Sequence, residues 1–251
     1  MNQINPKTLE FVDIDTNHFS PLSYLSHKIS KEGSYTMQVY SGSKLVLKAT
    51  IKASPKKEKQ KHTLNFDLAS IEEYQSRTFY INSEEGYLLF YNSKFSDKYH
   101  VVIKSKKNVE FDSSKLSVGD AFHLNILRPG VYALKTKESK ASLKLNVQYP
   151  KIDLKNLTPE IKEAVKIGYQ DFSKSKTINL LPNQGVTIYF DNKLKSASAK
   201  LIQINKPIKG STLREQLKSY TKRALKKRKS TSKRKQKHQW TSKSGFIKVT
   251  K

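Results

Sequence analysis

Fifteen Lys or Arg residues lie between Arg214 and Lys251, against a single acid, Glu215. The side chains whose type and spacing suggest chemistry are Lys218, Lys222, Arg223, Lys226, Lys227, Arg228, Lys229, Lys233, Arg234, Lys235, Lys237 and, beside them, Trp240. That chemistry is ion pairing. Ammonium and guanidinium groups release the counterions condensed on a phosphate chain, which gives a strong, salt-sensitive attraction. Trp240 adds a ring on which a base can stack. The segment carries +14 of the chain's net +27. The other 213 residues, with 33 basic and 20 acidic, carry +13 spread far more thinly.

Other chemistries find less support. Histidines stand at 18, 27, 62, 100, 123 and 238, with no H-x-H or H-x-x-x-H spacing to hold a metal. There is no cysteine, so disulfides, thiolate nucleophiles and Cys-based metal sites are excluded. Glu72-Glu73 and Glu84-Glu85 are adjacent rather than paired across a face, and no G-x-S-x-G or phosphate-cradling glycine loop occurs. The expectation is a protein that is not an enzyme and uses no cofactor and no metal. His123 alternates with Phe122, Leu124 and Ile126 on a strand pattern, sharing a face with Asn125, and is predicted to face solvent.

The basic segment needs an element to present it. Thr212-Leu213-Arg214-Glu215 fits a capping box, and Leu213, Leu217, Tyr220 and Ala224 recur at helical spacing. Ser230-Thr231-Ser232 breaks this helix before the second cluster, with Trp240 and Phe246 nearby. Three partners compete for residues 212–240: nucleic acid, an anionic membrane surface, and an acidic protein. The run from Lys222 to Lys229 also resembles a nuclear-localisation signal, and Lys56–Lys61 and Lys104–Lys107 are smaller basic spots.

The remainder can fill a core, with 36% hydrophobic residues and 24 Tyr or Phe. Tyr35–Val39 and Leu45–Ile51 alternate around Ser41-Gly42, a hairpin pattern. Tyr99–Ile103, Phe122–Leu127, Val131–Leu134 and Leu143–Val147 are further short strands separated by turn residues. Helices are expected from Thr158 to Gly168, with a Thr cap and Pro159 in the first turn, and around Leu68 to Tyr74. No apolar run approaches the roughly 18–20 residues that span a bilayer. The first residues show no secretory pattern, so the expected location is the cytoplasm, or a nucleus or virion.

A diverged tandem repeat runs through these strands. Gly33-Ser34-Tyr35 matches Gly130-Val131-Tyr132, and Leu47–Ile51 matches Leu143–Val147. Upstream, Leu9-Glu10-Phe11 matches Val109-Glu110-Phe111; downstream, Thr78 and Gly86 match Thr177 and Gly185. Ordered agreement in several blocks points to duplication.

Glu85–Asn92, His100-Val101-Val102, the run Phe111-Asp112-Ser113-Ser114-Lys115-Leu116-Ser117-Val118-Gly119-Asp120-Ala121-Phe122, and Pro129-Gly130-Val131-Tyr132 follow one another in an order that resembles the cupredoxin family. The resemblance covers residues 78–149 and implies a β-sandwich. It implies no copper: where that family has a cysteine after the P-G-x-Y turn, this chain reads Ala133-Leu134-Lys135-Thr136-Lys137, and His100 is left as a strand-end residue. The expected fold is mainly β, with two cupredoxin-like or Ig-like sandwich units, short helical connectors and a C-terminal basic helix. Residues 77–150 form the complete unit, and residues 1–53 and 176–207 are two half-domains that either pair into the second or stand as sequential pieces of one irregular sheet. Residues 54–76 and 151–175 connect them, and 208–251 are the basic helix and tail. The sandwich faces could also serve a protein partner in a virion, envelope or large assembly.

Overall fold

In the computed structural model the described residues are 14–16, 19–55, 61–94, 98–106, 108–136, 142–150, 162–173, 176–191, 199–205, 218 and 222. Alternating burial shapes most of the strands. In the longest, Leu47, Ala49, Ile51 and Ala53 point inward while Lys48 and Lys52 remain exposed, the period of two that puts successive side chains on opposite faces. The strands are β1 (Ile14–Asp15), β2 (Ser23–Lys28), β3 (Gly33–Ser41), β4 (Lys44–Ser54), β5 (Thr63–Asp67), β6 (Thr78–Asn82), β7 (Tyr87–Tyr91), β8 (Tyr99–Lys104) and β9 (Val109–Asp112). They continue as β10 (Asp120–Asn125), β11 (Gly130–Thr136), β12 (Ser142–Val147), β13 (Val165–Ile167), β14 (Thr177–Leu180), β15 (Gly185–Tyr189) and β16 (Ala199–Asn205). A 3-10 helix, Leu68–Tyr74, follows β5, and a short α-helix, α1 (Tyr169–Ser173), follows β13.

The strand orders reveal the duplication. One five-stranded sheet runs β6-β4-β3-β8-β9 and another β14-β12-β11-β16-β1. Adding eight to each label of the first sheet yields the second, except that β1 takes the last place. The six-stranded central sheet, β13-β15-β10-β2-β7-β5, is likewise two equivalent halves joined by antiparallel pairing of β2 with β10. Leu25 lies opposite Phe122, its own equivalent, so a local two-fold axis passes between them. From Ile14 to Tyr35 the equivalence is a constant shift of 97 residues, which also pairs Asp15 with Asp112, Phe19 with Leu116 and Gly33 with Gly130.

The chain is therefore mainly β, with three sheets layered as in a β-sandwich. Ring contacts cross between layers: Phe66 of β5 meets Phe79 of β6 edge-on at 5.1 Å, and Phe90 of β7 stacks on Phe111 of β9 at 5.4 Å. Phe66, Phe90 and Phe111 are buried, and each such side chain contributes roughly 2–3 kcal/mol. Tyr35 and Tyr132 repeat one device, each hydroxyl donating to a carbonyl four residues upstream, Lys31 at 2.7 Å and Arg128 at 2.6 Å. Burial pushes the Tyr132 hydroxyl up to about 12.

Several expectations are corrected. Strands from residues 33–54 pair with β6 and β8, not with strands from 176–207. Among the described strands, only β1, pairing with β16, joins the N-terminal region to that later segment. The supposed connectors supply β5 and β13, the two edges of the central sheet, because Leu64 with Phe66 and Val165 with Ile167 alternate rather than recur at helical spacing. The helix expected up to Gly168 is thus a strand at Val165–Ile167, and α1 begins after it. Residues 158–161 and Leu9–Phe11 lie outside the described residues.

Register is corrected too. Tyr35 faces Ile51 and Tyr132 faces Leu145, so Ile51 is equivalent to Leu145, two positions from the expected match. Leu25 faces Phe90 and Phe122 faces Ile188, which moves the Gly86 match by one. The chain divides into two units: residues 1–148 with 159–207, which hold all three sheets, and residues 149–158 with 208–251. In the second unit Lys218 and Lys222 are helical and exposed. No helix among the described residues is long and apolar enough to cross a membrane.

Candidate functional site

Strand alternation gives the central sheet two faces. On β2, Leu25 and His27 point inward, while Tyr24, Ser26 and Lys28 point out. On β10, Phe122 and Leu124 point inward, while Ala121 and His123 take the outer face. Cross-strand pairing lays His123 beside Tyr24 and Thr187, and Ala121 beside Ser26 and Tyr189. Tyr87 and Leu89 of β7 and Thr63 of β5 complete an outer groove of about 460 Å³ that straddles the two-fold axis. Its floor is mostly apolar.

The centre of the groove is a held imidazole. The His123 ring stacks under Tyr24 with centroids 4.2 Å apart and planes 10° from parallel. Its Nε2 lies 3.0 Å from Ser26 Oγ and its Nδ1 lies 2.9 Å from Thr187 Oγ1. One ring nitrogen donates and the other accepts, so a neutral ring satisfies both hydroxyls. Burial lowers its pKa to about 4. Burial, then the neighbouring Tyr189, raises the Tyr24 hydroxyl above its ordinary value. His123 is on the face expected of it but is not simply solvent-facing: Tyr24, 99 residues away in the chain, covers it.

A serine hydroxyl touching an imidazole raises the question of nucleophilic catalysis. The surroundings favour another role. An imidazole titrating near 4 is a weak base at neutral pH, and Thr187 stands where a carboxylate would stabilise an imidazolium. Ser26 sits mid-strand, flanked by ladder pairing on both sides. The arrangement holds a ring in place and presents Tyr24.

Charge at the groove has one sign. Lys28 is exposed, whereas the single carboxylate in the lining, Asp120, is buried and turned inward. Asp120 Oδ1 accepts from His27 Nδ1 at 2.7 Å, and Oδ2 accepts from the Ser117 N–H at 2.7 Å. Gly119, at φ +93°, lets the chain turn from Ser117 into β10 at this point.

The other histidines among the described residues have other partners. His100 Nε2 lies 2.7 Å from Asp112 Oδ1 at the edge of a five-stranded sheet, and His62 pairs with Glu85 at 3.4 Å. Among the described residues no group of three or more His, Asp or Glu gathers as a metal-binding cluster.

Of the expected phosphate contacts, Lys218 and Lys222 are described, and each is exposed. Arg223, Lys226, Lys227, Arg228, Lys229, Lys233, Arg234, Lys235, Lys237 and Trp240 lie outside the described residues. The groove itself was missed in the sequence, although Tyr24, Tyr87 and Tyr189 each occupy a polar-face position of an alternating strand. No family model, curated protein or solved structure matches the chain.

Proposed function

We propose that the chain is a non-catalytic protein that binds nucleic acid without sequence preference through its Lys/Arg-rich C-terminal segment. The duplicated β-body acts as scaffold. The observation that carries this reading is the density of charge, fifteen cations against one acid within 38 residues. The exposure of Lys218 and Lys222 supports it. The likeness of the body to copper-free cupredoxins is part of the same reading. It rests on the F-D-S-S-x-L-x-x-G-D-x-F run ending in β10 and the P-G-x-Y turn opening β11. A scaffold of this kind could work in the cytoplasm, a nucleus or a virion.

The test measures affinity of the full chain for a labelled DNA duplex as salt rises. If six to ten cations engage, affinity falls by about 10³–10⁵ between about 50 and 200 mM salt. A full-chain variant with Lys222, Arg223, Lys226, Lys227, Arg228 and Lys229 all changed to Gln should flatten the log–log slope by about 0.9 for each phosphate it no longer neutralises. A variant that keeps the parent slope overturns the assignment to this segment.

A further inference from the structure

Three tyrosines stand on the open face of the central sheet without a structural need to be there. Tyr24, Tyr87 and Tyr189 are 40%, 42% and 45% exposed, on β2, β7 and β15, with β10 between the first and the last. Three strand spacings from β7 to β15 amount to about 14 Å, and the pairing staggers the rings along the strands, with Tyr87 level with Lys28, Tyr189 level with Ala121 and Ser26, and Tyr24 level with Tyr91. Rings spread in this way over a sparsely charged face form separate stacking platforms. The local two-fold axis accounts for one of them, since the equivalent of Tyr189 is Tyr91, but not for Tyr24 and Tyr87, whose equivalents are Ala121 and Gly185.

We propose that this groove binds the bases of single-stranded nucleic acid, stacked on Tyr24, Tyr87 and Tyr189, with Lys28 meeting the backbone phosphate. The proposal deepens the reading of the C-terminal segment, on which it rests for the class of ligand, by giving the body its own binding surface. Preorganisation is visible at Tyr24. His123 backs one side of its ring, and two hydroxyls fix His123, so the other side is presented in a set orientation. The charge also fits. Lys28 points outward, and the buried Asp120 spends both oxygens on His27 and Ser117. A strand bearing one negative charge per nucleotide therefore meets no exposed carboxylate among the lining residues. A space of about 460 Å³ accommodates a base with its sugar. The exposed Thr63 hydroxyl at the groove offers a hydrogen bond that any base can use, which predicts little sequence preference.

The test uses the full chain and three probes: labelled oligo(dT), a duplex with the same number of phosphates, and a neutral oligosaccharide of matched length. Tyr87→Ala and Tyr189→Ala should each lower oligo(dT) affinity roughly 5- to 150-fold, the loss of one stacked base, and leave duplex affinity unchanged. Tyr87→Phe and Tyr189→Phe keep the ring and should bind oligo(dT) like the parent, which separates an absent stacking ring from a failure to fold. Unchanged oligo(dT) binding in both alanine variants overturns the groove while leaving the C-terminal reading intact. The reverse also has a signature. If the six-Gln variant binds duplex as tightly as the parent does, yet oligo(dT) binding still requires the tyrosines, the C-terminal reading fails and the groove stands. Oligosaccharide binding that depends on the tyrosines, without oligo(dT) binding, overturns the ligand class.

Discussion

His27 and Asp120 join the two repeats from the inside: they sit directly opposite each other where β2 meets β10, with Nδ1 and Oδ1 2.7 Å apart. Their equivalents across the local axis are Leu124 and Ser23, which also face each other and cannot form such a bond. The seam is therefore asymmetric. One end is polar and buried, and the other is a leucine beside a serine. His27 also packs against Phe111 at 4.9 Å, so the seam reaches the neighbouring five-stranded sheet.

Removing that carboxylate should be costly. Asp120→Ala takes the acceptor from both the buried His27 Nδ1 and the half-buried Ser117 N–H, and a buried orphan costs about 1–3 kcal/mol. The expected loss is about 3 kcal/mol in urea unfolding, whereas Asp120→Asn, which keeps one acceptor oxygen, should lose less. Equal stability of Asp120→Ala and the parent would show that the seam is held by its apolar residues alone.

How much of this was legible depends on the range of the interaction. Gly33 with Tyr35 and Gly130 with Tyr132 revealed the duplication because each pair marks a turn and its hydroxyl anchor, which are local features. Matching Leu47 to Leu143 slipped by two residues for a physical reason. Both strands alternate apolar with polar residues, so a shift of two keeps every side chain on its proper face. Strand partnerships at longer range were not legible, since β3 joins β8 across some sixty residues and β1 joins β16 with Ile14 opposite Leu201. His123 illustrates both limits at once: alternation chose its face, but only the β2–β10 pairing brings Tyr24 over it. The basic C-terminal segment was legible as charge, which needs no fold to be counted.

The depressed pKa of His123 makes stability depend on pH in a defined window. The folded value is about 4 against an ordinary 6.5, so the unfolded chain binds more protons between these limits. Stability is fully present above about 6.5 and declines as pH falls toward 4. Asp67 and Asp112 act lower down. Burial opposes their ionisation, but hydrogen bonds outweigh it, from Ser93 and Ala69 to Asp67 and from Ser114 and His100 to Asp112, holding both below 3.8. Their contribution is present above that value and is lost as pH drops through the lowered folded values, which separates it from the histidine's. His123→Gln should therefore flatten the stability profile between about 6.5 and 4 while leaving the acid limb in place. An unchanged profile would move the titration to another group.

Gly86 tests how rigid the turn before β7 is. A Cβ built there would lie 2.1 Å from the Asn82 carbonyl oxygen and 2.7 Å from Ile81 Cγ1. Neither neighbour is free to retreat. Asn82 is buried, its Oδ1 accepts the N–H groups of Glu84 at 2.7 Å and Glu85 at 3.2 Å, and Ile81 belongs to the core. The Gly86 carbonyl meanwhile accepts from the Ile29 N–H at 2.9 Å, so shifting the turn also disturbs the exit from β2. Gly86→Ala should cost about 3 kcal/mol, the upper range for overpacking a tight site. Gly42 provides the contrast: it has φ +61° with nothing within 4 Å of an added Cβ, so Gly42→Ala should cost only the left-handed strain, about 1–2 kcal/mol. Thermal or urea unfolding of the two variants decides it. If Gly42→Ala proves the more damaging, the turn at Asn82 yields easily, and backbone conformation rather than close packing governs both positions.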